Sequence, residues 1–340
     1  MIDKPAGVTS HDVVDGVRRI LHVRRVGHTG TLDPFATGVL VILIGRATRL
    51  AQFLSGVEKE YEAVIRLGFA TDTGDVTGKR IGVLENQGET RRASLENAEE
   101  KTEGNTEEKA DSEIGQTGMS VLRGGWGREQ IEAALKSLRG EIDQVPPMYS
   151  AKKQGGRKLY ELARRGEEVE RKPVRVCIYK FEAIKPTGAL LKDNLDGTFD
   201  FEVRVACSSG TYVRTLAEDF GKRLQVGAHL AELRRTRVGD FAIQQAQTLE
   251  QLKASVEEEA LGRSLLPVDA ALAHFSVVDL DTDDVRKVQN GMPVHVSGAN
   301  WSDGERVRMR DAQGHLIAVA EFKAAAGSLH PSVVIARDNS

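Results

Sequence analysis

Three groups of residues in this 340-residue chain have types and spacings that could do chemistry. The first is the stretch Gly27-His28-Thr29-Gly30-Thr31-Leu32-Asp33-Pro34-Phe35-Ala36-Thr37-Gly38, dense in glycine and followed at once by the apolar Val39–Ile44 run. Pro34 biases Asp33 away from the α region, so its carboxylate sits on extended or turn backbone, and turn initiation is the plain reading of Asp-Pro. No Gly-Lys-Ser/Thr follows the glycines, so this is not a phosphate loop. The second group is Asp72 and Asp75 in Thr71-Asp72-Thr73-Gly74-Asp75. The pair could suggest calcium, but no bidentate glutamate follows at the required spacing, and a surface turn touching substrate backbone is expected. The third is Arg214, just after Gly210-Thr211, at the start of an expected helix where its charge opposes the macrodipole and asks for a partner.

Metal and disulfide chemistry find little support. Cys177 and Cys207 are too few for a disulfide framework or a cysteine-rich zinc site. His229, His274, His295, His315 and His330 are scattered and have no assigned role.

The elements that must position these residues are legible in part. Val13, Val14, Val17, Ile20 and Leu21 recur at helical spacing behind a Thr9 or Ser10 cap. Tyr61, Ala63, Ile65 and Leu67 alternate at strand period, as do Phe201, Val203, Val205 and Cys207. Ile131, Leu135 and Leu138 mark a helix ending at Gly140, and Leu159, Leu162 and Ala163 another ending at Gly166. Val213, Leu216, Ala217, Phe220 and Leu224 form an apolar helix face. From about Phe275, short alternating segments (276–280, 306–310, 316–322, 332–336) separated by turn signals predict a small β domain. Without regular βαβα alternation, the class is α+β with a mixed, largely antiparallel sheet flanked by helices.

The net charge of −3 is unhelpful for a nucleic-acid partner until it is divided along the chain. Residues 86–115 hold nine acidic and four basic side chains, a balance of −5, which leaves +2 elsewhere. That stretch has almost no large apolar residues and is expected to be a disordered surface insertion. Between Lys152 and Arg175 nine basic residues face four acidic ones, and between Ser208 and Arg237 six face three. Such runs beside these motifs fit a polyanion partner. The apolar run Val39–Ile44 is far shorter than the ~20 residues of a membrane helix. No signal peptide opens the chain, so a cytoplasmic location is expected.

Four ordered motifs carry a resemblance spanning nearly the whole chain. They are Asp3-Lys4-Pro5-Ala6-Gly7-Val8-Thr9-Ser10-His11-Asp12 with the Gly27–Leu40 stretch, the Thr71–Asp75 turn, Gly140–Gly166, and Ser208–Leu216 continuing into Gly227–Thr236. Together they resemble the bacterial TruB-type tRNA pseudouridine synthases. The resemblance implies isomerisation of the T-loop uridine at tRNA position 55 without cofactor or metal. It makes Asp33 the catalytic nucleophile, since a carboxylate can divide one hard step into two easier ones through a covalent intermediate. The target base must be flipped out of its loop. His28 matches the histidine that enters the vacated space, and Tyr61 the aromatic residue that stacks on the flipped uracil and has a proton-transfer role. Arg214 matches the arginine paired with the aspartate, and Tyr212 and Leu233 match residues lining the pocket. Without the resemblance, His28 reads as a loop histidine bonded to its own backbone, Tyr61 as a core tyrosine and Leu233 as a core leucine.

The implied organisation is a catalytic domain over 1–270, with an RNA-gripping segment at 140–172, and a PUA-like β-barrel RNA-binding domain over 275–338. The expected partner is the tRNA T-arm, gripped by shape and backbone, with no protein partner, no membrane and a monomeric state. A secondary possibility beside the isomerase is tRNA-folding chaperone activity; other readings of the same fold are a non-catalytic RNA chaperone, against which the joint presence of Asp33, Tyr61 and Arg214 counts, and a guide-RNA-directed subunit, against which the long 152–166 gripping segment counts. Two departures stand out: the strand expected before Asp3-Lys4-Pro5 is shortened or absent, and the connection after Gly78 is longer than the family pattern.

Overall fold

The structure is a computed structural model that describes residues 1–81, 125–150, 152–154, 156–163, 165–167, 169–185, 187–296, 298 and 300–335. The acidic stretch 86–115 lies outside the described residues. By packing the chain falls into two units, Met1–Glu58 with Arg235–Ser340, and Lys59–Arg234.

The second unit is built on the strand Lys59–Leu67, whose odd-numbered residues are buried and even-numbered ones partly exposed, as the period-2 pattern requires. It pairs antiparallel with Phe199–Cys207, in register from Lys59↔Cys207 to Phe199↔Leu67. Phe199–Cys207 pairs in turn with Val174–Ala183, and that strand with Gly140–Gln144, both antiparallel. The helix Val213–Arg223 packs on this sheet through Phe220, whose ring stacks on Phe201 at 5.4 Å and meets Phe181 edge-on at 5.7 Å. Of the expected gripping segment, the regular elements among the described residues are the strand Gly140–Gln144, a two-residue ribbon of Lys153–Gln154 with Arg157–Lys158, and the helix Leu159–Ala163.

In the first unit, Ile2–Lys4 forms a three-residue strand antiparallel to Thr37–Leu40, and Val26–His28 pairs with Ile42–Ile44. The helix Ser10–Leu21 begins in a capping box, with Thr9 and Asp12 each bonding the other's backbone. Its apolar face joins Ile2, Leu40 and Leu252 in one core. The β segments beyond residue 275 form a five-stranded sheet, in which Ser276–Asp279 runs parallel to Arg306–Arg310 and the other pairs are antiparallel. Leu316, Val319 and Val333 of that sheet share a core with Val39, Val41, Leu50 and Phe53. The sheets are mixed and largely antiparallel, as expected from the sequence.

Of the elements that escaped the pattern, three have a readable reason. In Val174–Ala183 the register shifts between Ile178 and Lys180, which breaks the alternation that would have marked a strand. The strand Ala228–Val238, which carries the chain from the second unit into the first, puts a charged residue, Arg235, on its buried face. The helix Leu249–Glu257 buries only Leu252, too little for a visible stripe.

Candidate catalytic site

Asp33 lies outside regular structure and is half-buried, on a turn closed by the Ala36 N–H donating to the Asp33 carbonyl at 3.1 Å. The residues on either side are anchored. Ser10 Oγ accepts from the Leu32 N–H at 2.9 Å and lies 3.1 Å from the Leu32 carbonyl, so the first turn of a helix clamps the residue before Asp33. The Pro34 carbonyl accepts from the Gly7 N–H at 2.8 Å.

Two buried cations grip the same loop. Lys4 Nζ donates to the carbonyls of Pro5 and Val8, both at 2.8 Å, and of Pro34 at 3.2 Å. Burial lowers the Lys4 ammonium from 10.5 to about 8, and the nearby Asp33 charge opposes that shift. Arg235 donates from Nε to the Val39 carbonyl at 2.8 Å, from Nη2 to Gly30 at 3.0 Å and from Nη1 to Thr31 at 3.3 Å. The strand bearing Arg235 comes so close that a Cβ at Gly38, whose φ is +106°, would stand 2.2 Å from the Arg235 carbonyl oxygen. Only glycine fits there.

His28 ends the strand Val26–His28. Its Nδ1 is buried and has no hydrogen-bond partner among the described residues, so the backbone bond expected of an ordinary loop histidine is not made through this atom. Burial, with His11 and Arg235 adding to it, lowers its basicity and favours the neutral ring.

The remaining expected site residues belong to the second unit. Tyr61 sits on the buried face of Lys59–Leu67, opposite Val205. Leu233 is buried in Ala228–Val238. Tyr212 precedes the helix Val213–Arg223 and is fixed by buried Gln144, whose Oε1 accepts from the Tyr212 N–H at 2.8 Å while its Nε2 donates to the Tyr212 carbonyl at 3.1 Å.

Arg214 is the second residue of that helix and 4% exposed. Its Nη1 donates to the Thr73 carbonyl at 2.9 Å and its Nη2 to the Tyr149 carbonyl at 2.8 Å, with Asp75 Oδ2 3.6 Å from Nη1. Asp75 is not the surface turn residue expected from sequence: it is 4% exposed, and its Oδ1 accepts from Thr73 Oγ1, the Thr77 N–H and Thr77 Oγ1. Asp72 caps the same turn by accepting from the Lys79 N–H at 2.7 Å. Among the described residues no cluster of three or more His, Cys, Asp or Glu is placed to hold a metal ion, and no helix is long and apolar enough to cross a membrane.

The structure thus gathers His28 and Asp33 around one loop of the first unit, and holds Tyr61, Tyr212, Arg214 and Leu233 in the second. Sequence reasoning quoted Lys4 and Arg235 within motifs but gave them no role. The available signal for Arg235 was its parity with Leu233, which puts both on the buried face of one strand.

This mixed sheet with flanking helices has the fold of the pseudouridine synthases. Over 99% of its length the chain matches, with a TM-score of 0.64 and 25% identity, a chain of a crystal structure of a Cbf5-Nop10-Gar1 complex, covering 83% of that chain. A chain of an H/ACA RNP bound to a substrate RNA containing 2′-deoxyuridine matches with the same TM-score at 23% identity, covering 84% of that chain and 99% of this one. By sequence, residues 18–112 and 106–213 match the TruB family pseudouridylate synthase N-terminal domain, and residues 214–273 the tRNA pseudouridylate synthase B C-terminal domain. Relatives named tRNA pseudouridine synthase B include one from Thermobifida fusca, 40% identical over 338 residues (99% of this chain, 97% of that one). Another, from Bacillus pumilus, is 38% identical over 321 residues, 94% of this chain and 91% of that one. The chain belongs to the TruB family of pseudouridylate synthases.

Proposed function

We propose that this protein converts the T-loop uridine at tRNA position 55 to pseudouridine, with Asp33 as nucleophile and no cofactor. The observation that carries the reading is the Asp33 turn itself: a half-buried carboxylate between an anchored Leu32 and an anchored Pro34, in a chain of this family. The reaction breaks the bond from C1′ to N1, turns the uracil and joins C1′ to C5, whose proton leaves. The base is flipped out for this. Tyr61 stacks on it and takes part in proton transfer, Tyr212 and Leu233 line its pocket, and His28 enters the space it vacates. A neutral His28 suits that task, because no charge has to leave water as it inserts between bases. Arg214 supplies the positive charge that keeps the reacting carboxylate ionised.

The catalytic body is residues 1–270, with 140–172 gripping RNA, and the β domain over 275–338 binds RNA as PUA-like domains do. The protein acts as a cytoplasmic monomer without a protein partner. Its relatives at 38–40% identity carry the name tRNA pseudouridine synthase B, whereas the chain from the H/ACA RNP shares 23% and the chain from the Cbf5-Nop10-Gar1 complex 25%, which supports direct tRNA modification over guidance by a second RNA.

The test is to incubate the protein with an unmodified T-arm stem-loop and map pseudouridine by carbodiimide-dependent primer extension. A stop at the T-loop uridine is expected, abolished by Asp33→Asn, together with binding that weakens as salt rises. Binding without any stop would favour an RNA chaperone. A stop only after adding a guide RNA would favour the guided reading.

A further inference from the structure

Arg235 is 1% exposed, and among the described residues the hydrogen bonds of its guanidinium all go to backbone carbonyls flanking Asp33: Gly30 and Thr31 before it, and Val39, on the strand Thr37–Leu40, after it. A charge taken out of water must be hydrogen-bonded, and a guanidinium holds its five donors in a rigid planar fork. Moving any of the three carbonyls leaves both an unsatisfied acceptor and a poorly compensated cation. The fork therefore fixes the spacing of the two ends of the loop. The absence of a side chain at Gly38 lets the strand bearing Arg235 lie against that loop.

We infer that Arg235 is a positioning residue for the reaction, one that holds the Asp33 loop in its working geometry and does not itself touch RNA. The inference rests on the reading of Asp33 as the nucleophile. Lys4 reaches the same loop at a single carbonyl, Pro34, and its other two partners, Pro5 and Val8, lie outside it, so it does not fix both ends. A lysine in place of Arg235 keeps the charge but loses the fork, since a single ammonium cannot meet three carbonyls in the guanidinium's geometry.

The experiment compares Arg235→Lys and Arg235→Met with the unaltered protein in three measurements: single-turnover pseudouridine formation on the T-arm stem-loop, stem-loop Kd, and Tm. Misplacing a reacting group by about 1 Å costs roughly 10²-fold in rate. Arg235→Lys is expected to slow the single-turnover rate by about that factor, with Kd within about threefold and a cooperative melt retained. Arg235→Met is expected to be slower still. A rate for Arg235→Lys within threefold of the unaltered protein would overturn the inference. So would a change confined to Kd, or a loss of rate that follows the unfolded fraction, which would make Arg235 structural. Failure of the underlying reading looks different: the unaltered protein would make no pseudouridine, or Asp33→Asn would turn over fully.

Discussion

In the second unit Arg214 donates to two carbonyls and has a carboxylate 3.6 Å away, Asp75, which is itself held by three donors. In the first unit Arg235 donates to three carbonyls, and its guanidinium makes no ion pair among the described residues. Both guanidinium groups are buried, yet they do different work. A carboxylate counter-ion fixes a charge at a point and compensates its burial directly. A set of carbonyls fixes a path of backbone, because each must stay in reach of a planar fork. The Thr71–Gly78 turn is therefore an electrostatic anchor for the helix start at Arg214, and the Gly30–Val39 segment is a backbone held in place around Asp33.

Breaking the ion-paired cradle should have the largest effect on stability. Arg214→Met strands a buried Asp75 and is expected to cost about 3–5 kcal/mol in urea denaturation. Asp75→Asn, which keeps an acceptor for the Thr73 and Thr77 donors, should cost less, about 1–3 kcal/mol. The reverse order would mean that Asp75 does not compensate Arg214.

The carbonyl-bonded cradle can be sharpened by pH. Lys4 titrates at about 8 in the folded protein and at 10.5 when unperturbed. Between these values the unfolded chain binds more protons, so the Lys4 contribution to stability rises with pH through that window and is constant below it. The stability difference between the unaltered protein and Lys4→Met should therefore climb from pH 7.5 to pH 10, by no more than about 3 kcal/mol. Parallel curves would show that the Lys4 ammonium is not depressed. Smallest of all, Thr9→Ala removes the capping box of the helix Ser10–Leu21 and should cost about 1 kcal/mol, read as a drop in Tm.

Local periodicity carried the sequence a long way. The strands Lys59–Leu67 and Phe199–Cys207 and the helices Ser10–Leu21 and Val213–Arg223 were legible because each has a clean apolar face. The Asp33 turn followed from Pro34, and the odd position of Arg214 from the macrodipole. What stayed hidden depends on contacts between segments far apart. Asp75 read as a surface residue because the arginine beside it is 139 positions away. Arg235 counted only as one of the basic residues between Ser208 and Arg237, since nothing local says that the carbonyls of Gly30 and Thr31 will meet it. The packing of Leu316 and Val333 with Val39 and Phe53 is equally non-local, and no domain boundary drawn along the chain would have shown it.

The proposed role of the Asp33 carboxylate has a direct readout at C5 of the target uridine. Forming the C5 glycosidic bond expels the hydrogen from C5, so a T-arm stem-loop carrying tritium at C5 of its target uridine reports the reaction as released label. The unaltered protein should release that label, and Asp33→Asn should bind the same RNA with similar affinity and release none. Release by Asp33→Asn at the unaltered rate would mean that another group does the chemistry.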